Sequence, residues 1–269
     1  MADPRALAQE LAAAYANKQQ LAAPTTREAE FTLAAAYATE AELVRMRKDA
    51  GRCTVGLKVG FANRAMWRAL KLDTLVWAHM YDDTVRHAEN DHATVSISKM
   101  YAPKIEPEIV FKLRTELPLD ADAASVLAAI EWIALGFEII DCVYPDWKIT
   151  PVDFVASYGL HAGLVVGTPM PVTPDLIPML VEQLASFTVS LQKNSAVVAQ
   201  GAGKNSLKSP ALCLAELSSA TARAGATLSA GSLVSSGTLT EAQLIAVDET
   251  YTAVVEGLAL PPLTARIVA

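Results

Sequence analysis

The segment KIEPEIVFKL, residues Lys104–Leu113, is the most informative part of this 269-residue chain. Its apolar positions alternate as in a β-strand, on which successive side chains point to opposite faces. Glu106 and Glu108 therefore share one face, and two like charges at this spacing repel unless a cation or a proton lies between them. The pair predicts a metal site or acid–base chemistry, and the plainer alternative is a strand face in contact with solvent.

Two neighbouring features refine this prediction. Pro107 cannot donate a ladder hydrogen bond, so we expect the strand to lie at a sheet edge or at a bulge. A third acid, Glu138, lies among apolar residues in Gly136–Ile140, and a glutamate is almost never fully buried without a partner. Three converging carboxylates would form an all-oxygen site for Mg²⁺ or Mn²⁺. Histidines and cysteines at suitable spacing are lacking, which argues against zinc.

Composition excludes several classes of protein. The chain is 52% hydrophobic with a net charge of −7 and has no dense basic run, so nucleic-acid binding is not expected. Its three cysteines are scattered and form no CxxC pair, which is typical of a reducing compartment. We find neither a long uncharged apolar run nor the apolar core of a signal peptide, and we expect a cytoplasmic protein without a membrane span.

The chain divides into two predicted regions. Residues 1–52 read as a small helical N-terminal region, in which Thr25 and Thr39 are each followed three residues later by a glutamate, the spacing of a capping box. Gly51 is a plausible stop for the last of these helices. Residues 53–269 mix short strands with isolated helices, which indicates an α+β domain.

Within the second region we expect a helix over residues 122–134 and a buried strand over residues 135–140. Lys58 lies in an apolar, glycine-bracketed strand, where it is either a surface lysine with a buried stem or a desolvated functional amine. The run Gly201–Ser206 lacks the glycine that a phosphate-binding loop requires five residues before its Gly-Lys pair. No GxSxG motif appears, so α/β-hydrolase chemistry has no support.

The chain resembles the 2-hydroxypenta-2,4-dienoate (2-keto-4-pentenoate) hydratases and 4-oxalocrotonate decarboxylases of the fumarylacetoacetate hydrolase superfamily. The resemblance extends from about Val55 to the C-terminus and depends on a combination of short motifs. These motifs are Gly56–Phe61, Asn63–Met66, Glu106–Phe111, Glu138–Asp141, Trp147–Lys148 and Gly231–Thr238. It implies a distorted β-sandwich or roll with flanking helices, following a small helical N-terminal region, and a homo-oligomer.

The resemblance also implies roles for individual residues. The implied metal ligands are Glu106, Glu108 and Glu138, which would hold Mg²⁺ or Mn²⁺. The implied catalytic residues are Lys58 and Asp82, to which we add His161 as a histidine that could activate water. The implied substrate contacts are Ser236, Gly237, Thr238 and Lys148.

The expected activity is metal-dependent addition of water to a 2-hydroxy-2,4-dienoate through a stabilised enolate, with Lys58 at a lowered pKa as a proton carrier. Decarboxylation of a 4-oxalocrotonate-type acid and C–C cleavage of an acylpyruvate use the same enolate and stay open. A catalytically degenerate binding protein is a further alternative. Expected partners are a small α-keto or dienol acid, other copies of the chain and a pathway partner enzyme. The segment Ser157–His161 departs from the family where the substrate end is shaped.

Overall fold

Two β-sheets and their connecting helices form the protein, as seen in a computed structural model that describes residues 3–269. The strands are β1 (Thr54–Gly60), β2 (Val76–Tyr81), β3 (Val85–His87), β4 (His92–Ser96), β5 (Lys104–Leu113), β6 (Ile130–Ile140), β7 (His161–Val166), β8 (Met170–Pro171), β9 (Thr188–Lys193), β10 (Ala196–Ala202), β11 (Leu233–Ser235), β12 (Gln243–Leu244), β13 (Thr250–Glu256) and β14 (Leu263–Val268). The helices are α1 (Pro4–Asn17), α2 (Pro24–Arg27), α3 (Leu33–Asp49), α4 (Trp67–Leu70), α5 (Ala123–Ala128), α6 (Pro151–Ala156), α7 (Ile177–Ser186) and α8 (Pro210–Arg223).

The larger sheet has the order β2-β1-β11-β5-β6-β7-β3, with β12 beside β5 and β8 beside β6. The smaller sheet has the order β10-β9-β13-β14-β4. One apolar cluster joins the two sheets, with Ile109 and Phe111 of β5 and Tyr251 and Leu263 of the smaller sheet among its members. These β5 residues lie on the face opposite the glutamates, as the alternation predicts. Two sheets with flanking helices confirm the predicted α+β fold.

Strand β5 lies inside the larger sheet, so the prediction that Pro107 marks an edge is wrong. The strand pairs with β6 along its whole length and with β11 and then β12 on its other side. The Pro107 carbonyl accepts a hydrogen bond from Leu239 N at 3.0 Å, which places its missing N–H toward the same segment. That segment connects β11 to β12 and does not pair with β5 as a regular strand. The N–H group that Pro107 lacks therefore removes no ladder hydrogen bond.

The predicted helix over residues 122–134 is wrong in its second half. Helix α5 begins after Asp122, whose side chain accepts from Ser125 N at 2.8 Å, and ends at Ala128. Residues 130–140 instead form β6, the longest neighbour of β5. A long apolar run does not distinguish a buried helix from a buried strand by periodicity, and here pairing with β5 decides the outcome.

The N-terminal helices pack against α6 and against the end of β6. Their apolar residues share a cluster with Ile140 and with Phe154 of α6. Both predicted capping boxes are wrong, since Thr25 lies inside α2 and Thr39 lies in the middle of α3. Gly51 follows the end of α3 with a φ of 78°, as expected for a helix stop. The domain boundary at residue 52 stays a prediction. Among residues 3–269, no helix combines the length and apolarity that a bilayer span requires.

The buried carboxylate of Asp153 connects α2 to α6. It accepts from Thr25 N at 2.9 Å and Thr25 Oγ1 at 2.7 Å, and from Thr150 N at 3.0 Å and Thr150 Oγ1 at 2.8 Å. Asp153→Ala leaves these donors without a partner and should lower the free energy of unfolding by about 2–3 kcal/mol. Urea denaturation checks this, with the exposed Asp73→Ala as the matched control, for which a change within about 0.5 kcal/mol is expected. Equal midpoints for the two variants would contradict the assignment.

Candidate active site

Three carboxylates converge where β5 pairs with β6. In the register of these strands Glu106 lies opposite Glu138, and Glu108 lies opposite Gly136. Each of the three glutamates offers an oxygen within 4.8 Å of the others. Glu108 and Glu138 are fully buried, and Glu106 is partly exposed. The structure therefore brings together the three side chains that the sequence predicts as a metal triad.

The hydrogen bonds of Glu108 test whether this triad suits a cation. Its Oε2 accepts from Ser235 Oγ at 2.5 Å and from Gly237 N at 2.9 Å. Its Oε1 is buried and has no hydrogen-bond partner among residues 3–269. A buried carboxylate oxygen without a donor is unstable unless a cation or a proton satisfies it. With an all-oxygen donor set, the triad fits a hard divalent ion such as Mg²⁺ or Mn²⁺.

The electrostatics of the triad are unequal. Burial raises the pKa of Glu106 to about 7, although the charge of Lys58 opposes the shift. Burial and the charges of the other two glutamates raise the pKa of Glu108 well above its ordinary value. For Glu138, burial is outweighed by Lys58 and His161, so its pKa is lowered. In the absence of a cation, the raised pKa values of Glu106 and Glu108 favour their protonated forms, whereas Glu138 keeps its charge.

Lys58 lies at the side of the triad and is only 2% exposed. Its Nζ is 2.9 Å from Glu138 Oε2, donates to the Gly159 carbonyl at 3.0 Å and lies 4.7 Å from the centroid of the Phe154 ring. Burial lowers the pKa of Lys58, but the three glutamates outweigh it and the net shift is upward. In the metal-free site Lys58 is therefore an ammonium, and the lowered pKa expected beside a bound metal stays a prediction.

A left-handed turn supplies the carbonyl that holds Lys58. Tyr158, Gly159 and Leu160 have φ values of 56°, 57° and 59°. A left-handed conformation costs roughly 1–2 kcal/mol for a residue other than glycine, so Tyr158 and Leu160, on either side of Gly159, need a surrounding structure that holds them. The turn places the Gly159 carbonyl within hydrogen-bonding distance of Lys58, which is 101 residues away in the chain. Sequence reasoning noted this segment as a departure from the family but did not find its role.

His161 lies behind the triad and contacts it through Glu138. Its Nδ1 is 2.9 Å from Glu138 Oε1 and its Nε2 is 2.9 Å from Thr84 Oγ1, with the side chain only 1% exposed. Both ring nitrogens therefore have hydrogen-bond partners. A cavity lies beside the triad, and His161 is not among the described residues that line it. Asp82 is exposed and accepts from Cys53 N at 3.2 Å, so the structure places it outside that cavity as well.

Only some of the predicted substrate contacts reach the cavity beside the triad. Gly237 and Thr238 line the cavity, and the Gly237 N–H is already committed to Glu108. Ser236 Oγ is buried and finds no hydrogen-bond partner in the described part of the chain. Lys148 is 81% exposed and forms an ion pair with Asp146 at 3.3 Å, so the structure does not bring it to the triad.

The triad opens into a cavity of about 630 Å³, a volume typical of small-molecule sites. Glu106 and Lys58 form its polar end. Its remaining wall is largely apolar and aromatic, with Phe61, Phe154 and Trp147 among the lining residues. The sequence motifs did not single out Ser235 or Phe154, although Ser235 lies within the segment Gly231–Thr238. Such a cavity suits a small acid that is held at one end by its oxygens.

Comparisons with known proteins agree with this site, although no family model matches the chain. The chain is 29% identical over 232 residues to a 4-oxalocrotonate decarboxylase of Pseudomonas sp. (strain CF600), covering 85% of this chain and 84% of that protein. It is 29% identical over 215 residues to a 2-hydroxypent-2,4-dienoate hydratase of Pseudomonas putida, covering 79% of this chain and 93% of that protein.

A solved structure extends the similarity to the whole fold. The 4-oxalocrotonate decarboxylase from Pseudomonas putida G7, complexed with magnesium and adipate, superposes with a TM-score of 0.88 at 27% identity, covering 98% of this chain and 97% of that chain. A fumarylacetoacetate hydrolase family protein shares the fold at 16% identity, with a TM-score of 0.55. The predicted divalent-metal cofactor is confirmed by the triad together with the metal-bound relative.

Fold and site together define a metal-dependent lyase with a fumarylacetoacetate hydrolase fold. In sequence and in fold, the chain is similar to 2-keto-4-pentenoate hydratases and 4-oxalocrotonate decarboxylases. The resemblance predicted from the sequence motifs is thereby confirmed.

Metal binding should depend on all three carboxylates. Glu108→Gln removes one charge at nearly constant volume and should weaken Mg²⁺ binding at least ~100-fold, since even supporting residues around a metal typically contribute 10–100-fold. Isothermal titration calorimetry measures this. The matched control is Glu131→Gln on the same sheet, where the side chain is 47% exposed and pairs with Lys112 at 3.5 Å, and it should bind Mg²⁺ as the wild type does. Equal affinities for both variants would remove Glu108 from the ligand set.

The same titration should depend on pH. Because burial raises the pKa of Glu106 to about 7 and raises the pKa of Glu108 well above its ordinary value, these carboxyls hold protons around neutral pH in the metal-free protein, Glu106 only in part. Binding a cation must displace those protons, so Mg²⁺ affinity should fall as the pH drops through 7. Calorimetry in buffers of different ionisation enthalpy counts the protons released. Release of fewer than about half a proton at pH 7 would contradict the raised pKa values.

Proposed function

We propose that the protein is a hydro-lyase that adds water to a 2-hydroxy-2,4-dienoate of the 2-keto-4-pentenoate type and yields a 4-hydroxy-2-oxo acid. The observation that carries the proposal is the buried trio of carboxylates beside the Lys58 ammonium, in a chain related to hydratases over most of its length. Mg²⁺ or Mn²⁺ would be held by Glu106, Glu108 and Glu138. When bound, the ion supplies Lewis-acid stabilisation of negative charge on the keto oxygen.

Lys58 is the proposed proton carrier of the reaction. It lines the cavity, it is an ammonium, and its Nζ is positioned by Glu138 and by the Gly159 carbonyl. An ammonium at this place can donate a proton to the dienol carbon chain and take one back from water. Its fixed position supports the proposal, because proton transfer requires the donor atom within hydrogen-bonding reach of the substrate.

Other residues have proposed roles as supports. His161 orients the Glu138 carboxylate, and Ser235 with Gly237 orients that of Glu108. Asp82 lies in the turn that carries Thr84, the partner of His161, so we propose that it acts through that turn rather than on substrate. Thr238 donates its hydroxyl to the Thr240 carbonyl and can still accept a hydrogen bond in the cavity.

A 4-oxalocrotonate-type decarboxylase is the second candidate, supported by the similarity to such enzymes in sequence and in fold. C–C hydrolysis of an acylpyruvate has less support. It requires a histidine or a carboxylate that activates water, and both nitrogens of His161 are engaged. A catalytically degenerate binding protein is disfavoured by the complete set of Lys58 and the three glutamates.

Some expectations concern the protein's setting in the cell. The homo-oligomer, the association with a pathway partner enzyme and the cytoplasmic location stay predictions. A small α-keto or dienol acid as the substrate follows from the proposed activity.

The proposed reaction predicts a specific optical and chemical result. Enzyme stripped with a chelator should leave the dienol ultraviolet band of 2-hydroxypenta-2,4-dienoate unchanged, and added Mg²⁺ should abolish the band with formation of 4-hydroxy-2-oxopentanoate. Wild type and Lys112→Met should behave alike, whereas Lys58→Met should lose at least ~10²-fold in kcat. Release of CO₂ from 4-oxalocrotonate without hydration would favour the decarboxylase instead. If neither acid changes in a Mg²⁺-dependent manner, both the hydratase and the decarboxylase are excluded.

The left-handed turn should affect catalysis through Lys58. A Cβ at Gly159 would lie 2.7 Å from Ala78 Cβ and 3.0 Å from Lys58 Cδ. Gly159→Ala should therefore displace the lysine and lower kcat by roughly 10²-fold, the effect of a misplacement of about 1 Å, with little change in Mg²⁺ affinity. Gly225→Ala is the matched control, since its φ of +71° imposes similar strain with no atom within 4 Å.

A second substitution separates contact from strain at this position. Adding Ala78→Gly to Gly159→Ala removes the shorter contact and should restore part of the lost kcat. If Gly159→Ala and Gly225→Ala have equal kcat values, the turn does not position Lys58.

A further inference from the structure

A single peptide group links the region of α8 to the metal triad. The peptide bond between Ser236 and Gly237 lies in the turn that follows β11. Its N–H end donates to Glu108 Oε2 at 2.9 Å. In a planar trans peptide the N–H and the C=O point in opposite directions, so the Ser236 carbonyl is directed away from Glu108. Whatever binds that carbonyl therefore also sets the direction of the N–H that reaches the triad.

Two buried side chains donate to the Ser236 carbonyl. Ser206 Oγ lies 2.6 Å from this oxygen, and Cys213 Sγ of α8 lies 3.2 Å from it. Both donors are fully buried. Burial raises the pKa of the Cys213 thiol to about 12, so the thiol keeps its proton and remains a donor at neutral pH. The two donors together engage both lone pairs of the carbonyl oxygen.

The glycine in this turn also permits the opposite orientation of the peptide group. Gly237 has a φ of 90°, and glycine adopts positive and negative φ about equally well. A half-turn of the peptide plane would withdraw the N–H from Glu108 and direct a carbonyl oxygen at its carboxylate. Ser206 and Cys213 oppose that rotation, because it would leave two buried donors without an acceptor.

We propose that Ser206 and Cys213 are positioning residues of the metal site, which act on Glu108 through the peptide group between Ser236 and Gly237. By holding this peptide they keep Glu108 Oε2 engaged, and Oε1, which has no hydrogen-bond partner within residues 3–269, stays available to a cation. Hydrogen bonds at the carbonyl end also polarise the peptide and strengthen its N–H as a donor. The inference rests on the proposed function, in which the three glutamates hold the ion.

The first experiment observes this peptide group in the metal-free protein. Ser236–Gly237 is the only Ser-Gly pair in the sequence, so labelling the carbonyl carbon of serine and the amide nitrogen of glycine isolates one NMR signal. An amide proton that is hydrogen-bonded to a carboxyl group resonates downfield. Ser206→Ala removes the shorter of the two bonds to the carbonyl and should shift the Gly237 amide proton upfield.

The second experiment measures Mg²⁺ affinity by calorimetry. Ser206→Ala should weaken Mg²⁺ binding ~10-fold, since residues that support a metal ligand typically contribute about 10–100-fold. At Cys213, serine and alanine are both smaller than cysteine, but only serine keeps a donor. Cys213→Ser should therefore bind Mg²⁺ as the wild type does, and Cys213→Ala should bind it more weakly. A role in packing alone would give these two variants equal affinities.

The matched control is Cys142→Ala, which makes the same substitution at a thiol that is equally buried, in the apolar cluster of the N-terminal helices. It should keep both the Gly237 signal and the Mg²⁺ affinity of the wild type. An unchanged Gly237 signal or an unchanged affinity in Ser206→Ala, or equal affinities for Cys213→Ser and Cys213→Ala, would overturn the positioning role and leave the proposed function intact. If the wild type binds no Mg²⁺, the proposed function fails, and the positioning role fails with it.

Discussion

The pairing of β5 with β6 is the constraint on which the site depends. It places Glu106 opposite Glu138 and gathers three carboxylates within 4.8 Å in a mostly buried position. A slip of one residue would turn one strand's acids to the opposite face, so the register must be held firmly. Gly136 contributes to this, because a Cβ there would lie 2.5 Å from a methyl group of Val110. Repulsion among the three carboxylates destabilises the β5–β6 pair locally, and dense packing along the two strands compensates for it.

The repulsion is distributed unequally among the three acids. Glu138 is held charged by Lys58 and His161, which keep its pKa low, whereas burial raises the pKa of Glu106 and Glu108. The metal-free site thus contains one carboxylate with fixed charge and two that exchange protons for a cation. Binding of a cation therefore competes with protonation of Glu106 and Glu108, and this competition lowers the metal affinity.

Local periodicity predicted the parts of the site that depend on one strand. The shared face of Glu106 and Glu108 follows from the two-residue period of β5, and that prediction needed no tertiary information. The β-character of residues 130–134 and the interior position of Pro107 were predicted wrongly, since both are decided by neighbouring strands. The contact of Lys58 with Gly159 joins residues that are 101 positions apart in the chain. It depends on a strained turn, and the only sign of that turn in the sequence is the glycine itself.

The metal end of the cavity is compatible with several reactions, so the choice among them must come from the rest of its wall. Water activation by His161 is disfavoured because both of its nitrogens already have partners, and Lys58 is the proposed proton carrier in the cavity. An ammonium can protonate a carbon chain, and in the metal-free site the surrounding glutamates raise the pKa of Lys58 and keep it charged. Lys58 at this wall can therefore donate the proton to carbon that the proposed hydration requires.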